Sequence, residues 1–366
     1  MSAVPTVLQR DGIRISRLQI KRTSLILLAL CALLCVLAVA SVGIGAVSVT
    51  PAQVLSIFAK RMGFSVEQTF QSHQEAVVVA IRLPRVLLNI LVGAGLAVSG
   101  AAMQGLFRNP LADPGLIGVS SGAALAAVSV IVLGATVLKG LSEILGIFTL
   151  PIAAFIGGVA ATLLVYQLSA TSGRVAVATM LLAGIAINAL SGALTGLLTF
   201  VATDAQLRNI TFWSMGNMGG ATWTSVSVVT PFIIISVCLL GLYGRALNIF
   251  LLGESEARHL GVSVERMKRE VITLAALAVG ASVSVVGIIG FVGLVVPHLL
   301  RLSIGPDHRY LIPGAALLGA SLLMAADLVA RTLVAPAELP IGIVTAVIGV
   351  PFFLFLLLQN RNRQVF

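Results

Sequence analysis

Charge is scarce in this chain. Asp, Glu, Lys and Arg make up 10% of its 366 residues, against about 25% in a soluble domain. With 58% hydrophobic residues and a mean hydropathy of +1.08, the deficit leaves little room for a soluble domain and reads as a polytopic membrane protein. Cysteine is nearly absent: Cys31 and Cys35 share one apolar run, Cys238 lies in another, and no C-x-x-C occurs. Neither a disulfide framework nor a thiolate metal site is indicated. His73, His259, His298 and His308 stand at no ligand spacing, and H-E-x-x-H and G-x-S-x-G are missing. None of the lysines (Lys21, Lys60, Lys139, Lys268) sits in a G-x-x-x-x-G-K-[ST] phosphate loop, so the chain has no ATP-hydrolysing motif and no catalytic residue is assigned. The net charge of +10 gathers at the ends of apolar runs rather than in an aromatic-laced patch, which speaks against nucleic acid.

What fills the chain is a series of apolar runs near the length of about 20 residues that crosses a bilayer. They fall near 24–47, 86–107, 115–138, 145–169, 175–202, 224–244, 270–286, 288–303, 310–330 and 340–358. Stretch 270–303 is long for one helix and short for two, and is divided at Gly287; residues 203–223 have room for a small helix outside the membrane. The first run follows Arg10, Arg14, Arg17, Lys21 and Arg22 and resembles a signal peptide, but at about 24 residues it exceeds the roughly 7–15 of a signal core. A retained first span is expected. Ten spans put both termini on one side. With that side cytoplasmic, 16 of the 23 Lys and Arg lie inside and 7 outside, as the positive-inside rule requires.

Span interiors carry no Asp, Glu, Lys or Arg on this reading. Ion-coupled transporters and proton pumps usually need such groups, which leaves a passive channel or an externally powered transporter. "GESEARHLGV" (253–262), followed by "ERMKRE", is a charged insert between two spans. Glu254 to Leu260 can form a short helix between Gly253 and Gly261, and Ser263 can cap a second short helix leading into the next span. A plain solvated loop remains equally open. "RNPLADPG" (108–115) breaks the pattern, because Pro110 and Pro114 forbid a continuous helix. In the fifth span Gly184, Ala186, Ala189, Gly192, Ala193 and Gly196 offer a small-residue wall for a pathway, or helix-packing positions instead.

Four stretches resemble the FecCD-like permeases of type II ABC importers: 82–125 ("RLPRVLLNILVGAGLAVSGAAMQGLFRNPLADPGLIGVSSGAAL" with its flanking Ile81), "GESEARHLGV", 287–309 ("GIIGFVGLVVPHLLRLSIGPDHR") and 326–358. The resemblance runs from about residue 76 to the C-terminus and implies an all-α fold of ten transmembrane helices. It divides the chain into a basic cytoplasmic tail (1–23), a permease domain (24–358) with coupling helices about 253–268, and a cytoplasmic tail (359–366). It also implies a homodimer in the bacterial inner membrane, two ABC ATPase subunits on the cytoplasmic side, and a periplasmic substrate-binding protein.

Carried onto this sequence, the resemblance makes Gly253, Glu254, Ala257, Arg258 and Gly261 the ATPase-coupling residues, with a simple Glu254–Arg258 helix pair as the alternative. Arg82, Arg85 and Arg331 become binding-protein docking residues, with interfacial anchoring, or an Arg331–Asp327 pair, as the alternatives. Asn109 and Leu111 become the cytoplasmic gate, against a reverse turn, and Gly184, Ala189, Gly192 and Gly196 the pathway lining. Residues 206–223, "GPDHR" and "RTLVAPAELPIG" are most similar to haem permeases. Haem is therefore expected as transported substrate, with no permanently bound cofactor. Iron–siderophore or cobalamin import is the runner-up, and a stand-alone channel or ion-coupled transporter the competing class.

Overall fold

The computed structural model describes residues 6–45, 47–64, 69–171 and 174–363. The ends of both predicted tails, 1–5 and 364–366, lie outside the described residues, as do 46, 65–68 and 172–173. In chain order the helices are α1 (Thr6–Gly43), α2 (Pro51–Arg61), α3 (Ser72–Ala76) and α4 (Leu83–Phe107), with a π-helical turn at Val77–Arg82 joining the last two. There follow α5 (Val119–Leu133), α6 (Lys139–Leu145), α7 (Thr149–Ser169), α8 (Val177–Phe200), α9 (Asp204–Ser214) and α10 (Trp223–Leu242). The chain continues with α11 (Gly244–Phe250), α12 (Glu254–His259), α13 (Val264–Val286), α14 (Val292–Ile304), α15 (His308–Thr332) and α16 (Ile341–Arg363). Among the described residues, one small ladder departs from all-helical: β1 (Ala170–Thr171) pairs antiparallel with β2 (Arg174–Val175).

Among the described residues, seven helices are long and apolar enough to cross a membrane, and Val119–Leu133, Val292–Ile304 and Ile341–Phe355 are shorter apolar helices at the remaining three expected spans. The division at Gly287 holds. This residue ends α13 at φ 74°, and a Cβ there would collide with the Trp213 carbonyl, so glycine is required. Residues 287–291 are non-helical, which at membrane depth is tolerable only inside protein or along a cavity. Neighbouring loops meet here: Asn217 N–H donates to Val286 O (2.8 Å) and Ile341 N–H to Gly216 O (3.0 Å).

At the centre stands α4, whose span is 78% buried, whereas the α1 span is 11% buried and peripheral. Around α4 pack α15, α13, α10 and α14. Small residues set the distance: a Cβ on Gly93 would strike the Gly319 carbonyl of α15. Two apolar surfaces gain nothing from hydrophobicity in lipid, so close van der Waals approach holds such helices together. The predicted extramembrane helix is α9, whose start is closed by a capping box between Thr203 and Gln206.

Loop contacts sort the chain into two ends. Arg108 lies over Phe250 at 5.6 Å, Lys268 reaches Val175, and Asn248 reaches Asp307. These place loop 108–118, residues 174–176, loop 243–263 and loop 305–307 at one end, called here the α12 end. At the other, Arg82 reaches Val42, Gly43 and Val47, Arg85 reaches Glu338, and Gln206 reaches Ile131 and Val132. This alternation is what ten crossings demand.

Candidate functional site

The charged insert forms a short helix, α12, clamped to its own chain. Gly253 (φ 139°) and Gly261 (φ 86°) set its two bends, as the spacing predicts. Glu254 and Arg258 form an ion pair one turn apart, the plainer of the two expectations for them. The hub is Lys268, which the sequence reading passed over. Its side chain is 2% exposed, and its ammonium donates to Val175 O (2.8 Å) and Glu254 Oε2 (2.9 Å). Glu265 completes the clamp: its carboxylate accepts from Val175 N–H (3.1 Å) and from Arg258 (3.2 Å). Burial raises the Glu254 pKa, but the Lys268 hydrogen bond and charge, with Arg258 and Arg108, hold it below the ordinary carboxylate value.

Two expectations here are corrected. Ala257 is 0% exposed, packed against its own chain, because its side of the six-residue helix faces α11 and α13. It is therefore not presented to a partner. Ser263 holds the N-cap position of α13 without a capping hydrogen bond, and α13 runs unbroken into the span rather than starting with a separate short helix. Outward-facing positions are Ser255, Glu256, Arg258 and His259, flanked by Leu252 (67% exposed) and Leu260 (61%).

At the opposite end the three expected docking arginines turn inward. Arg82, Arg85 and Arg331 are 4%, 6% and 9% exposed. Arg82 donates to Val42 O (2.6 Å), Gly43 O (2.8 Å) and Val47 O. Arg85 grips Asp327 from Nε and Nη2 (3.0 and 2.8 Å) and Glu338 from Nη1 and Nη2 (2.9 and 3.0 Å). Asn89 adds a bond to Asp327 at 3.1 Å, and Arg331 donates to Ser41 O (2.8 Å) with Asp327 4.0 Å away. Surface exposure is thus corrected for all three, and so is the idea of charge-free span interiors. Arg85 and the 0%-exposed Asp327 are buried in spanning helices, where mutual pairing makes them tolerable.

The break after α4 is a turn. Arg108 takes a left-handed conformation (φ 50°), Asn109 is exposed, and Asn109 Oδ1 accepts from Leu111 N–H at 2.9 Å. Leu111 is half-buried. Of the fifth-span residues, Gly184 is corrected to a packing position: it is buried, and a Cβ would collide with Leu116 O. Ala189, Gly192 and Gly196 are exposed, and added Cβ atoms at both glycines would meet nothing within 4 Å. Beside them runs a groove of about 380 Å³ between α5 and α8, lined by Ser120, Ser121, Asn188, Gly192 and Thr195 among others. Asn188 is tied to Ser121 and to Gly115 O (3.2 Å). Small-residue spacing alone gave no sign of that polar strip.

Among the described residues the chain thus combines many apolar helices, a charged helix clamped at one end, and a groove beside α8 with a polar strip along it. The FecCD transport family profile matches residues 20–359. The chain belongs to this family. It is 52% identical over 285 residues to the hemin transport system permease protein of Yersinia pestis, covering 78% of this chain and 84% of that protein. It is 44% identical over 308 residues to the cobalamin import system permease protein of Halobacterium salinarum, covering 84% and 78% of the two chains. The solved structure of a metal-chelate type ABC transporter in an inward-facing conformation superposes with a TM-score of 0.78 at 35% identity, covering 91% of this chain and 99% of that one. This FecCD permease is a membrane transport subunit.

Proposed function

We propose that this permease imports haem. The chain would work as a homodimer in the bacterial inner membrane, with the α12 end and both termini in the cytoplasm. Two ABC ATPase subunits would seat against α12, and a periplasmic binding protein would deliver substrate at the Arg85 end. The observation that carries the reading is the clamp of α12 to Val175, two residues before the pathway helix α8. ATPase closure pressing on Leu252, His259 and Leu260 would move α12. Through Lys268 the displacement would reach Val175 in β2 and the start of α8. A loop tethered by solvated charges alone would dissipate such a push.

Docking is proposed as an exchange. Glu338 is 41% exposed while Arg85 is 8% exposed, so an acidic partner side chain could replace Glu338 on the Arg85 fork without unpairing Asp327. Asn109 and Leu111 would meet their symmetry mates at the inner neck and act as the gate, and Ala189, Gly192 and Gly196 would line the pathway above it. Haem is favoured by the 52% identity to a hemin permease. Cobalamin is the second reading, supported by the 44% relative.

The test is a proteoliposome assay of the permease with its ATPase and binding protein, offered haem, cobalamin and ferric siderophores in turn. ATP-dependent accumulation of haem alone is expected. Accumulation of cobalamin instead would overturn the substrate, and flux without the ATPase would overturn the powered mechanism.

A further inference from the structure

The α12 end holds a cavity that the proposed cycle does not use. It measures about 500 Å³ and lies between α1, the end of α14 and the start of α15, with Arg22, Thr23, Arg301, Leu302, Arg309 and Tyr310 in its wall. Its one carboxylate, Asp307, is already matched. Arg309 binds it from Nε and Nη2 (2.9 and 2.6 Å) and Asn248 from Nδ2 (2.6 Å). Two guanidiniums are left over. Arg22 is exposed, and neither it nor Arg301 makes an ion pair among the described residues. The buried Nη1 of Arg301 makes no hydrogen bond.

The surroundings say which anion fits. Leu25, one turn beyond Arg22, is 68% exposed, and Leu302 is 65% exposed. Leu25 lies on the peripheral helix α1 and Leu302 in the last turn of α14, and side chains so exposed beside apolar spans are positions for lipid. On the orientation proposed above, on which this inference rests, the cavity sits where hydrocarbon gives way to water, on the side where anionic lipids and basic residues concentrate. Tyr310 supplies an aromatic ring at headgroup level. We propose that this cavity binds the phosphodiester headgroup of an anionic phospholipid, with Arg22 and Arg301 on the phosphate and the acyl chains along Leu25 and Leu302. A free phosphate shares the ionic chemistry but not the apolar rim. The Asp307–Asn248 bond joins the cavity wall to α11, which leads into α12, so a bound lipid would brace the coupling platform.

Native mass spectrometry of the full-length permease tests this, with phosphatidylglycerol or phosphatidylcholine added and inorganic phosphate as a separate arm. Wild type should retain phosphatidylglycerol over phosphatidylcholine. Arg22→Gln with Arg301→Gln should weaken that retention about thirtyfold, from the effect of two basic residues near an anionic surface. Arg22→Gln alone, at an exposed site, should weaken it roughly fivefold, which keeps the test readable if the double variant misfolds. Lys at both positions should restore most of the binding. Equal retention of the two lipids by wild type, or unchanged phosphatidylglycerol retention by either Gln variant, would overturn the proposal. So would displacement of phosphatidylglycerol by inorganic phosphate at matched concentration, which would make the ligand a free anion.

Discussion

Lys268 links two segments that no local pattern connects, since its partner Val175 lies 93 positions away. Replacing it with Met would remove the buried cation and leave Glu254 and Glu265 only the 40%-exposed Arg258 as a shared partner. Removing one member of a buried pair costs about 3–5 kcal/mol, and the low end applies because both carboxylates are about a third exposed. A fall of several degrees in the unfolding midpoint in detergent is expected, with ATP hydrolysis in the assembled transporter persisting while transport is lost. An unchanged midpoint together with unchanged transport would show that the clamp carries nothing. The same group predicts a pH response. Because the folded-state pKa of Glu254 is depressed below its ordinary value of 4.5, its stabilisation is full above that value and fades as pH falls through the lower, folded value. A spin label at Ser255→Cys should stay immobilised from neutral pH down to about 5 and loosen in more acidic buffer. Glu254→Gln should abolish that dependence. Asp307, held down to about 2 chiefly by its Arg309 hydrogen bond, stays ionised across this range and serves as the internal contrast.

Among the elements, α12 separates packing from recognition. Ala257→Arg would force a long charged side chain into a 0%-exposed site. Overpacking costs about 1–3 kcal/mol, so the helix should leave its seat and become sensitive to limited proteolysis even without a partner. Leu260→Asp, at a position 61% exposed, should leave proteolysis unchanged and weaken capture of the ATPase subunit. Equal effects of the two changes in both assays would refute the division. The contrast also shows what the residues alone could say. The bends at Gly253 and Gly261, the break at Gly287 and a helix somewhere within 203–223 are legible, because local backbone chemistry decides them, though not that helix's bounds. Which side of α12 faces inward is not, since a six-residue helix has too few positions to show an apolar stripe. The arginines misled for a related reason. Asp327 and Glu338, which draw Arg85 inward, are 242 and 253 positions away, and charge bias along the chain reports only distance from the membrane. In α8, Gly184 and Gly192 look alike as letters, and only the packed 114–117 turn distinguishes a contact glycine from an open one.

For the whole molecule, the proposed dimer and its neck make one prediction. If the Asn109–Leu111 turns of two copies meet on the shared axis, Leu111→Cys in a background without Cys31, Cys35 and Cys238 should cross-link under oxidation. The requirement is a Cα separation below about 7 Å, and the yield should change with the nucleotide state of the ATPase. Leu111→Ala should also let preloaded substrate leak inward without ATP. Absence of a cross-link in every state, with a tight Leu111→Ala variant, would move the gate to the start of α8. The cluster at the opposite end has a consequence in time. Arg85 is made 242 residues before Asp327, and at about 5–20 residues per second it waits on the order of 10–50 seconds for its counter-charge. During that interval α4 is inserted with an uncompensated guanidinium at its mouth, and only the arrival of α15 lets it settle at the centre of the bundle. A chain cut short before α15 would thus display the signal of an unfinished protein, a lone arginine at the bilayer edge, to whatever machinery surveys membrane insertion.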